Sequence, residues 1–334
     1  MSSTAQQQNQ PAMPSPAITE ISTFAVDVEE GLSKYPKQLP SKYFYDAAGD
    51  QLFQDIMAMP EYYLTNCEFE IFSEQKGGIL EAIGDAPFEL IELGAGDGTK
   101  TKILLEHFLQ EQADFTYRPI DISGNVLEQL MTACAQEFPE LEVAAVEGDY
   151  IEALHQIHEE HNHRRKVVLF LGGNIGNFPL PEAQQFLSEL ARCMDRGDLL
   201  LTGFDLKKDP STIQAAYDDP AGITAAFNLN LLHRINRELG GHFDLDQFFH
   251  WEAYNPLNGE ARSYIVSREE QNVKIDQLQL SVHFEAWEAI AVEVSAKYGQ
   301  RDIIDLAHQT GFGIKANFTD QRNYFVDSLW ELKA

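Results

Sequence analysis

The sequence is poor in cysteine. Its 334 residues include three cysteines, Cys67, Cys134 and Cys193, which are odd in number and far apart. This spacing gives neither a disulfide framework nor a zinc-binding pattern, so we predict reduced thiols. The histidine-rich segment from His155 to His163 also lacks regular ligand spacing. We therefore predict no metal site and a cytoplasmic location.

Basic residues are scarce as well. The chain has 24 Lys and Arg against 53 Asp and Glu, which gives a formal net charge of -29 at pH 7. Such a charge repels phosphate backbones and anionic membrane surfaces, so we expect neither a nucleic acid nor a membrane as a partner. The ordinary effect of this acidity is to keep the protein soluble.

Long apolar runs are absent. No segment approaches the length needed to span a membrane, and the first 20 residues lack the basic and apolar regions of a secretion signal. Residues 1–18 are instead rich in Gln, Ser, Pro and Ala. This composition predicts a disordered N-terminal arm.

A dinucleotide fingerprint is also missing, although a related glycine loop is present. The segment "IELGAGDGTKT", residues 91–101, lies between an apolar strand pattern and a helical pattern. In G-x-G-x-x-G the glycines let backbone approach a pyrophosphate, but here the third glycine comes one residue early. Glu92 and Asp97 would add carboxylates where that dianion lies. The loop favours the cationic donor S-adenosylmethionine over an NAD-linked oxidoreductase; a tight turn without a ligand is the alternative.

The patterns that follow indicate an α/β fold. Strand-like and helical segments alternate from the glycine loop to Asp205, which predicts a doubly wound parallel sheet covered on both faces. Beyond it, a helical stretch leads into alternating segments with Asn258-Gly259 as a hairpin turn, and these predict an α+β unit. We predict a nucleotide domain of residues 19–205 and 296–334, interrupted by an inserted domain of residues 206–295.

Several polar residues follow the predicted strands, at the sheet edge where ligands bind in such folds. Asp121 suits the ribose hydroxyls, with a helix cap as the alternative, and Asp149 suits an adenine amino group, with a plain loop acid as the alternative. In "LFLGGNIGNFPL", Gly172 allows close approach of a ligand, and Asn174 and Asn177 offer polar groups, although asparagine is also common in turns.

At this point the residues match a known family. The segments "SKYFYDAAGDQLFQDIMAMPEYYLTNCEFEIF", "IELGAGDGTKT", "YRPIDIS", "LFLGGNIGNF", "AAYDDPAGITAAFNLNLLHRINRELGGHFD" and "VEVSAKY" resemble the S-adenosylmethionine-dependent L-histidine Nα-methyltransferases of ergothioneine biosynthesis. The resemblance covers nearly all of the chain after the N-terminal arm. It implies a class I, Rossmann-like methyltransferase domain with a smaller inserted substrate domain.

The resemblance also implies roles for individual residues. The cofactor S-adenosyl-L-methionine would be held by Gly94, Gly96, Lys100, Asp121, Asp149 and Gly172. The substrate would be held by Tyr45, Tyr62, Asn177, Tyr217, Glu293 and Ser295. Tyr45, in the α-amine region, and Gly172, near the methyl group, would lie closest to the reaction. Asn177 and Tyr217 would bind the α-carboxylate, and Tyr62 would line the pocket.

The implied activity is trimethylation of the α-amino group of L-histidine to hercynine, by a monomeric enzyme. Glu293 and Ser295 would contact the imidazole, and a buried carboxylate left unpaired by the wrong ligand is a means of selecting histidine. Some members carry a methionine where this chain has Ser263. That departure keeps another aromatic amino acid or amine, such as a tryptophan derivative, as the alternative substrate.

Overall fold

The computed structural model describes residues 22–160 and 164–333, so the predicted arm of residues 1–18 lies outside the described chain. Within these residues, the α-helices are α1 (Thr23–Ser33), α2 (Ala47–Met57), α3 (Tyr63–Ile83), α4 (Thr101–Gln110), α5 (Gly124–Glu137), α6 (Tyr150–Glu159), α7 (Leu180–Arg192), α8 (Pro210–Tyr217), α9 (Ile223–Leu239) and α10 (Gln300–Gln309). No helix in this part of the chain is both long and apolar enough to cross a membrane.

The strands are β1 (Lys37–Gln38), β2 (Phe88–Leu93), β3 (Phe115–Asp121), β4 (Val146–Glu147), β5 (Arg165–Phe170), β6 (Leu199–Asp205), β7 (Phe248–Asn255), β8 (Glu260–Ser267), β9 (Gln271–Ile275), β10 (Leu280–Phe284), β11 (Ala289–Ala296), β12 (Phe312–Thr319) and β13 (Phe325–Leu332). Short 3-10 helices cover Ser41–Phe44, Asn174–Asn177 and Leu245–Gln247.

The larger sheet has seven strands in the order β12-β13-β6-β5-β2-β3-β4. Neighbouring strands are parallel except around β13, which runs antiparallel to both β12 and β6. From β2 the chain winds one way to β3 and β4, and the other way to β5 and β6. This order confirms the predicted doubly wound α/β fold, and it places the switch point between β2 and β5.

Both faces of this sheet are buried, which explains why its strands are continuous apolar runs rather than alternating ones. Leu90 and Val167 belong to one core with α3, α4 and α5, whereas Ile91 and Val168 belong to the core on the opposite face with α6, α7 and α10. Successive residues alternate between the two faces because the side-chain period of a strand is two.

A second sheet forms the smaller unit, with the strand order β1-β11-β8-β7, and β9 and β10 form a separate hairpin beside it. β11 pairs antiparallel with β8, and β8 with β7, as the alternating pattern predicts. The α9 helix packs on this sheet and contributes Phe227, Leu231 and Ile235 to its core. The inserted segment is therefore a helix-covered antiparallel sheet.

The N-terminal segment of residues 22–59 packs with this smaller unit. β1 pairs in parallel with β11, and Phe24 and Phe44 share a core with Phe227. The sequence analysis placed residues 19–205 in the larger domain, because a short helix carries no local signal of the surface that it will cover. We propose that residues 22–59 belong to the smaller unit; the other predicted boundaries stay a prediction.

The two chain crossings that begin and end the inserted segment lie side by side. Tyr298 donates from its backbone nitrogen to the Asp205 carbonyl at 2.8 Å, and Lys207 donates back to the Tyr298 carbonyl at 2.9 Å. The chain thus leaves the larger sheet after β6 and returns to it after β11. One pair of backbone hydrogen bonds joins the leaving and the returning segment.

Trp330 tests the core on the α7 face of the larger sheet. Its ring is fully buried and stacks on Phe204 with ring centroids 5.5 Å apart. We expect Trp330→Ala to lower the free energy of unfolding by about 3–5 kcal/mol, because it removes a large buried side chain and leaves a cavity. Urea denaturation measures this change.

Trp251→Ala is the matched control, because this tryptophan lies on the outer face of β7 with 56% of its surface exposed. Its loss should change the free energy of unfolding by less than about 1 kcal/mol. Equal losses for the two variants would contradict the assignment of Trp330 to the core.

Candidate active site

The glycine loop after β2 is open on the side that faces the sheet edge. Gly94 and Gly96 have φ angles of 72° and 56°, which favour glycine. A Cβ on Gly94 would lie 2.6 Å from the Tyr150 hydroxyl, whereas a Cβ on Gly96 would meet nothing within 4 Å. Gly96 therefore borders free space in which a ligand can approach the backbone.

Glu92 does not face that space, so the role expected for it at the loop is wrong. Its carboxylate is buried and accepts hydrogen bonds from the hydroxyls of Thr101 and Tyr117. These contacts connect β2, β3 and the first turn of α4 beneath the loop. Burial raises the pKa of Glu92 to about 7. Asp97 does lie exposed on the loop, where it accepts from the backbone nitrogen of Thr99 at 3.0 Å.

The predicted ribose and adenine residues lie at the ends of neighbouring strands. Asp121 ends β3 and accepts from the backbone nitrogens of Gly96 at 3.2 Å and Ser123 at 3.0 Å, so it supports the glycine loop. Asp149 follows β4, is exposed, and caps α6 by accepting from Ile151 at 3.0 Å. The helix cap that was the alternative for Asp121 is instead Ser123, which caps α5, whereas Asp149 is a cap rather than a plain loop acid. Each carboxylate keeps capacity for a further hydrogen bond.

Lys100 and Gly172 lie together at the switch point. A Cβ on Gly172 would lie 3.7 Å from the Lys100 ammonium. Both groups contact Glu68, which is fully buried on α3: Lys100 forms an ion pair with it, and the Gly172 backbone nitrogen donates to it at 2.7 Å. The sequence analysis did not single out Glu68. The signal available for it was a carboxylate among the apolar residues of a predicted helix.

Asn177 lies at the end of the 3-10 helix that follows β5, and its side chain is exposed. This helix is pressed against β11, since a Cβ on Gly176 would lie 2.8 Å from the Ala296 carbonyl oxygen. Asn177 and Glu293 both line a cleft of about 340 Å³ between this helix, β11 and the N-terminal segment.

Aromatic side chains connect the two units. Tyr45 packs edge-on against Phe53 and Phe227, with ring centroids 5.5 and 5.6 Å away, and Tyr62 packs against Tyr217 at 6.2 Å. Tyr62 contacts both the core of the larger sheet and that of the smaller one. The predicted substrate tyrosines therefore lie along the seam between the units, together with two phenylalanines that the sequence analysis did not single out.

Ser295 and Tyr217 share a buried hydrogen bond of 2.8 Å between their hydroxyl oxygens. The ammonium of Lys297 donates to both oxygens at 2.7 Å and pairs with Asp205 at 2.9 Å. Lys297 stands in the segment "VEVSAKY", yet it received no role from the sequence, because nothing local shows that its side chain turns inward.

Glu293 belongs to a row of three side chains across neighbouring strands. Ser263, its partner on β8, donates to Glu252 on β7 at 2.8 Å and lies 3.3 Å from the Glu293 carboxylate. Burial raises the pKa of Glu252 to about 8 and that of Glu293 to about 7. Ser263 thus belongs to a polar cluster that spans three neighbouring strands. The sequence analysis did not single out Glu252, although the alternating pattern of the segment that forms β7 was visible.

Two tyrosines, Tyr45 and Tyr150, have raised pKa values and are influenced by nearby carboxylates. Surrounding protein raises the pKa of Tyr45, and the charges of Glu293 and Tyr150 add to that rise. Burial raises the pKa of Tyr150 to about 12, and Asp121 and Asp149 contribute. Among the residues that the structure describes, no cluster of three or more His, Cys, Asp or Glu forms a metal site.

Comparison with known proteins agrees with this geometry. Residues 24–332 match the family model described as histidine-specific methyltransferase, SAM-dependent. This chain belongs to that family. The methyltransferase therefore uses S-adenosylmethionine, and an open glycine loop bordered by the exposed sides of Asp121 and Asp149 fits a nucleoside with a cationic sulfur.

Relatives of this methyltransferase cover most of its length. The histidine N-alpha-methyltransferase of Mycolicibacterium smegmatis is 40% identical over 91% of this chain and 93% of that protein. The histidine N-alpha-methyltransferase of Mycobacterium tuberculosis is 39% identical over 81% of this chain and 83% of that protein. Ergothioneine biosynthesis protein 1 of Schizosaccharomyces pombe is 28% identical over 87% of this chain but only 38% of that protein.

The raised pKa of the Glu252 carboxyl predicts how the stability of this methyltransferase depends on pH. A carboxyl whose pKa is higher in the folded than in the unfolded chain binds more protons when folded. The free energy of unfolding should therefore fall as the pH rises from about 5 through the folded pKa of Glu252, near 8. We expect Glu252→Gln to gain stability over the wild type at pH 8.5 but not at about pH 5.

Urea denaturation of the ligand-free protein across this range measures the difference. Glu285→Gln is the control, because Glu285 is exposed. Parallel curves for the wild type and Glu252→Gln would show that Glu252 does not titrate differently in the folded state.

Proposed function

We propose that this methyltransferase transfers three methyl groups to the α-amino nitrogen of L-histidine and so makes Nα,Nα,Nα-trimethylhistidine (hercynine). The family description and the names of the two mycobacterial relatives support histidine as the substrate. The name of the Schizosaccharomyces pombe relative supports a place in ergothioneine biosynthesis. The structural observation that carries the proposal is the partly buried Glu293 carboxylate, which lies 3.3 Å from the Ser263 hydroxyl and lines the same cleft as Asn177.

At the cofactor end, we assign the ribose to Asp121, which ends β3, and the adenine amino group to Asp149, which follows the neighbouring parallel strand β4. Gly94 and Gly96 would line the nucleoside. Lys100, now paired with Glu68, has the charge to bind the cofactor carboxylate. We propose that the backbone of Gly172 makes the remaining contact with the cofactor.

At the substrate end, we assign the α-carboxylate to Asn177 and Tyr217, and the α-amine region to Tyr45. Tyr62 would form the wall of the pocket, since its ring packs against Tyr217. The imidazole would lie at Glu293 and Ser295.

S-adenosylmethionine supplies an electrophilic methyl group on a sulfonium. The protein has to hold a neutral amine in line with that group and to exclude water, and correct orientation alone accelerates such a reaction strongly. An α-amine titrates between neutral and mildly basic pH, so an unprotonated fraction is always available. No strong general base is needed, and proton loss to water beside Tyr45 between transfers suffices.

Selectivity for histidine follows from the polar end of the pocket. Glu293 can accept from one imidazole nitrogen, and a hydroxyl can donate to the other. An indole offers one donor and no acceptor, so a tryptophan-like substrate would leave buried polar groups unpaired. A tryptophan-like substrate stays the alternative, because Ser263 departs from the methionine expected from the family resemblance. The hydrogen bond from Ser263 to Glu252 makes this wall of the pocket polar, which favours histidine.

Both ends of the proposed site come from one chain, so a monomer would be sufficient for activity. We also propose a cytoplasmic location, which agrees with the free cysteines Cys67, Cys134 and Cys193.

The decisive test is turnover. We expect the purified protein with S-adenosylmethionine to add one, two and then three methyl groups to L-histidine, as read by mass spectrometry, and to leave L-tryptophan and L-tyrosine nearly unchanged. Calorimetry should show binding of S-adenosylhomocysteine and not of NADH. Methylation of tryptophan in preference to histidine would overturn the substrate, and binding of NADH alone would overturn the reaction class.

Glu293→Ala tests the assigned selectivity. We expect the KM for histidine to rise by roughly 10- to 100-fold, because a hydrogen bond to a charged group contributes about 1.5–3 kcal/mol. The Kd for S-adenosylhomocysteine should change by less than about twofold. Glu285→Ala, at an exposed glutamate, is the control. An equal loss of histidine and cofactor affinity would remove the role assigned to Glu293.

A further inference from the structure

Lys297 is the most completely buried charged group near the substrate end. Its side chain has 0% exposure and lies at the chain crossing directly after β11. The ammonium contacts three oxygen atoms, namely Oδ2 of Asp205 at 2.9 Å and the hydroxyl oxygens of Tyr217 and Ser295 at 2.7 Å each. None of the roles given above involves this lysine.

The number of hydrogens determines what the two hydroxyls can do. An ammonium has N–H donors and no acceptor, so it can only donate to a hydroxyl oxygen. The oxygens of Tyr217 and Ser295 must therefore accept from Lys297. Only one hydrogen can lie in the 2.8 Å contact between these two oxygens. At least one of the two hydroxyl hydrogens is consequently free to be donated elsewhere.

The free hydrogen has a matching acceptor in the proposed substrate. Ser295 stands two residues from Glu293 on β11, so the two side chains lie on the same face, apart from the local bulge between Ala291 and Glu293. A neutral imidazole has one N–H and one bare nitrogen. If Glu293 accepts from the N–H, the bare nitrogen needs a donor from this side of the pocket.

We propose that Lys297 is a positioning residue: because both hydroxyl oxygens accept from its ammonium, the Ser295 hydrogen is directed to the bare imidazole nitrogen of the substrate and the Tyr217 hydrogen to the α-carboxylate. This rests on the proposed function, in which histidine lies against Glu293. Lys297 thereby selects one ring tautomer, with the N–H toward Glu293 and the bare nitrogen toward Ser295.

A second buried lysine provides a matched control. Lys208 also pairs with Asp205 and donates to the Tyr63 hydroxyl at 2.8 Å, but no hydrogen bond joins it to Tyr217 or Ser295. In Lys297→Met, Lys208 still neutralises Asp205. The comparison of Lys297→Met with Lys208→Met thus separates the loss of a buried cation from the loss of hydroxyl orientation.

Two substrate analogues report on the two ring contacts separately. Thiazolylalanine keeps a bare nitrogen and lacks the N–H, whereas pyrrolylalanine keeps an N–H and lacks the bare nitrogen. We expect Lys297→Met to lower kcat/KM for histidine and thiazolylalanine about tenfold relative to pyrrolylalanine, the size expected for one lost hydrogen bond to a buried group. Lys208→Met should leave this ratio unchanged.

A double-mutant cycle identifies the residue through which the lysine acts. Ser295→Ala should reduce the same ratio about tenfold, and adding Lys297→Met to it should have little further effect, because both changes remove one contact. Equal loss for all three amino acids in Lys297→Met, or fully additive effects in the double variant, would overturn the proposal.

If Lys297→Met does not fold, Lys297→Gln keeps an amide donor and should show a smaller decrease in the ratio. An unchanged ratio in that variant would also overturn the proposal. The wild type provides the check on the proposed function itself: failure to methylate histidine would refute that function, whereas methylation of histidine with an unchanged ratio refutes only the role of Lys297.

Discussion

The buried ion pair between Asp205 and Lys297 joins the two units of the molecule. Asp205 ends β6, Lys297 follows β11, and their side chains have 2% and 0% exposure. A charge in such a place is tolerated only when it is paired and hydrogen-bonded, and here Lys208 and the Tyr63 hydroxyl complete the set around the carboxylate. Because the crossings are held at this point, the smaller sheet has a defined position over the edge of the larger one.

The position of the smaller sheet determines which side chains face the carboxyl edge of the doubly wound sheet. The carboxyl ends of parallel strands place the glycine loop, Asp121 and the segment after β5 at one edge. The smaller unit then brings Tyr217 and Glu293 to the same edge. The two units therefore meet along a seam that includes the packed rings of Tyr62 and Tyr217.

The smaller unit contains buried polar groups at positions where apolar side chains would make the protein more stable. Glu252 and Glu293 lie near each other, and Oε1 of Glu252 is buried without a hydrogen-bond partner among the described residues. Burial raises the pKa of both carboxyls. Such groups lower the stability of the free protein and give the pocket a preference for a ligand that can satisfy them.

The sequence by itself determined the strand and helix order, the glycine turn and the family, because these depend on local periodicity and contiguous motifs. It did not show that residues 22–59 cover the smaller sheet, that Glu92 turns beneath the loop, or that Glu68, Glu252 and Lys297 are buried beside the proposed ligands. Those outcomes depend on which distant segments meet, and a charged residue looks the same in the sequence whether it faces water or a buried partner. Only the tertiary structure decided them, because the desolvation of each charge is balanced by groups far away along the chain.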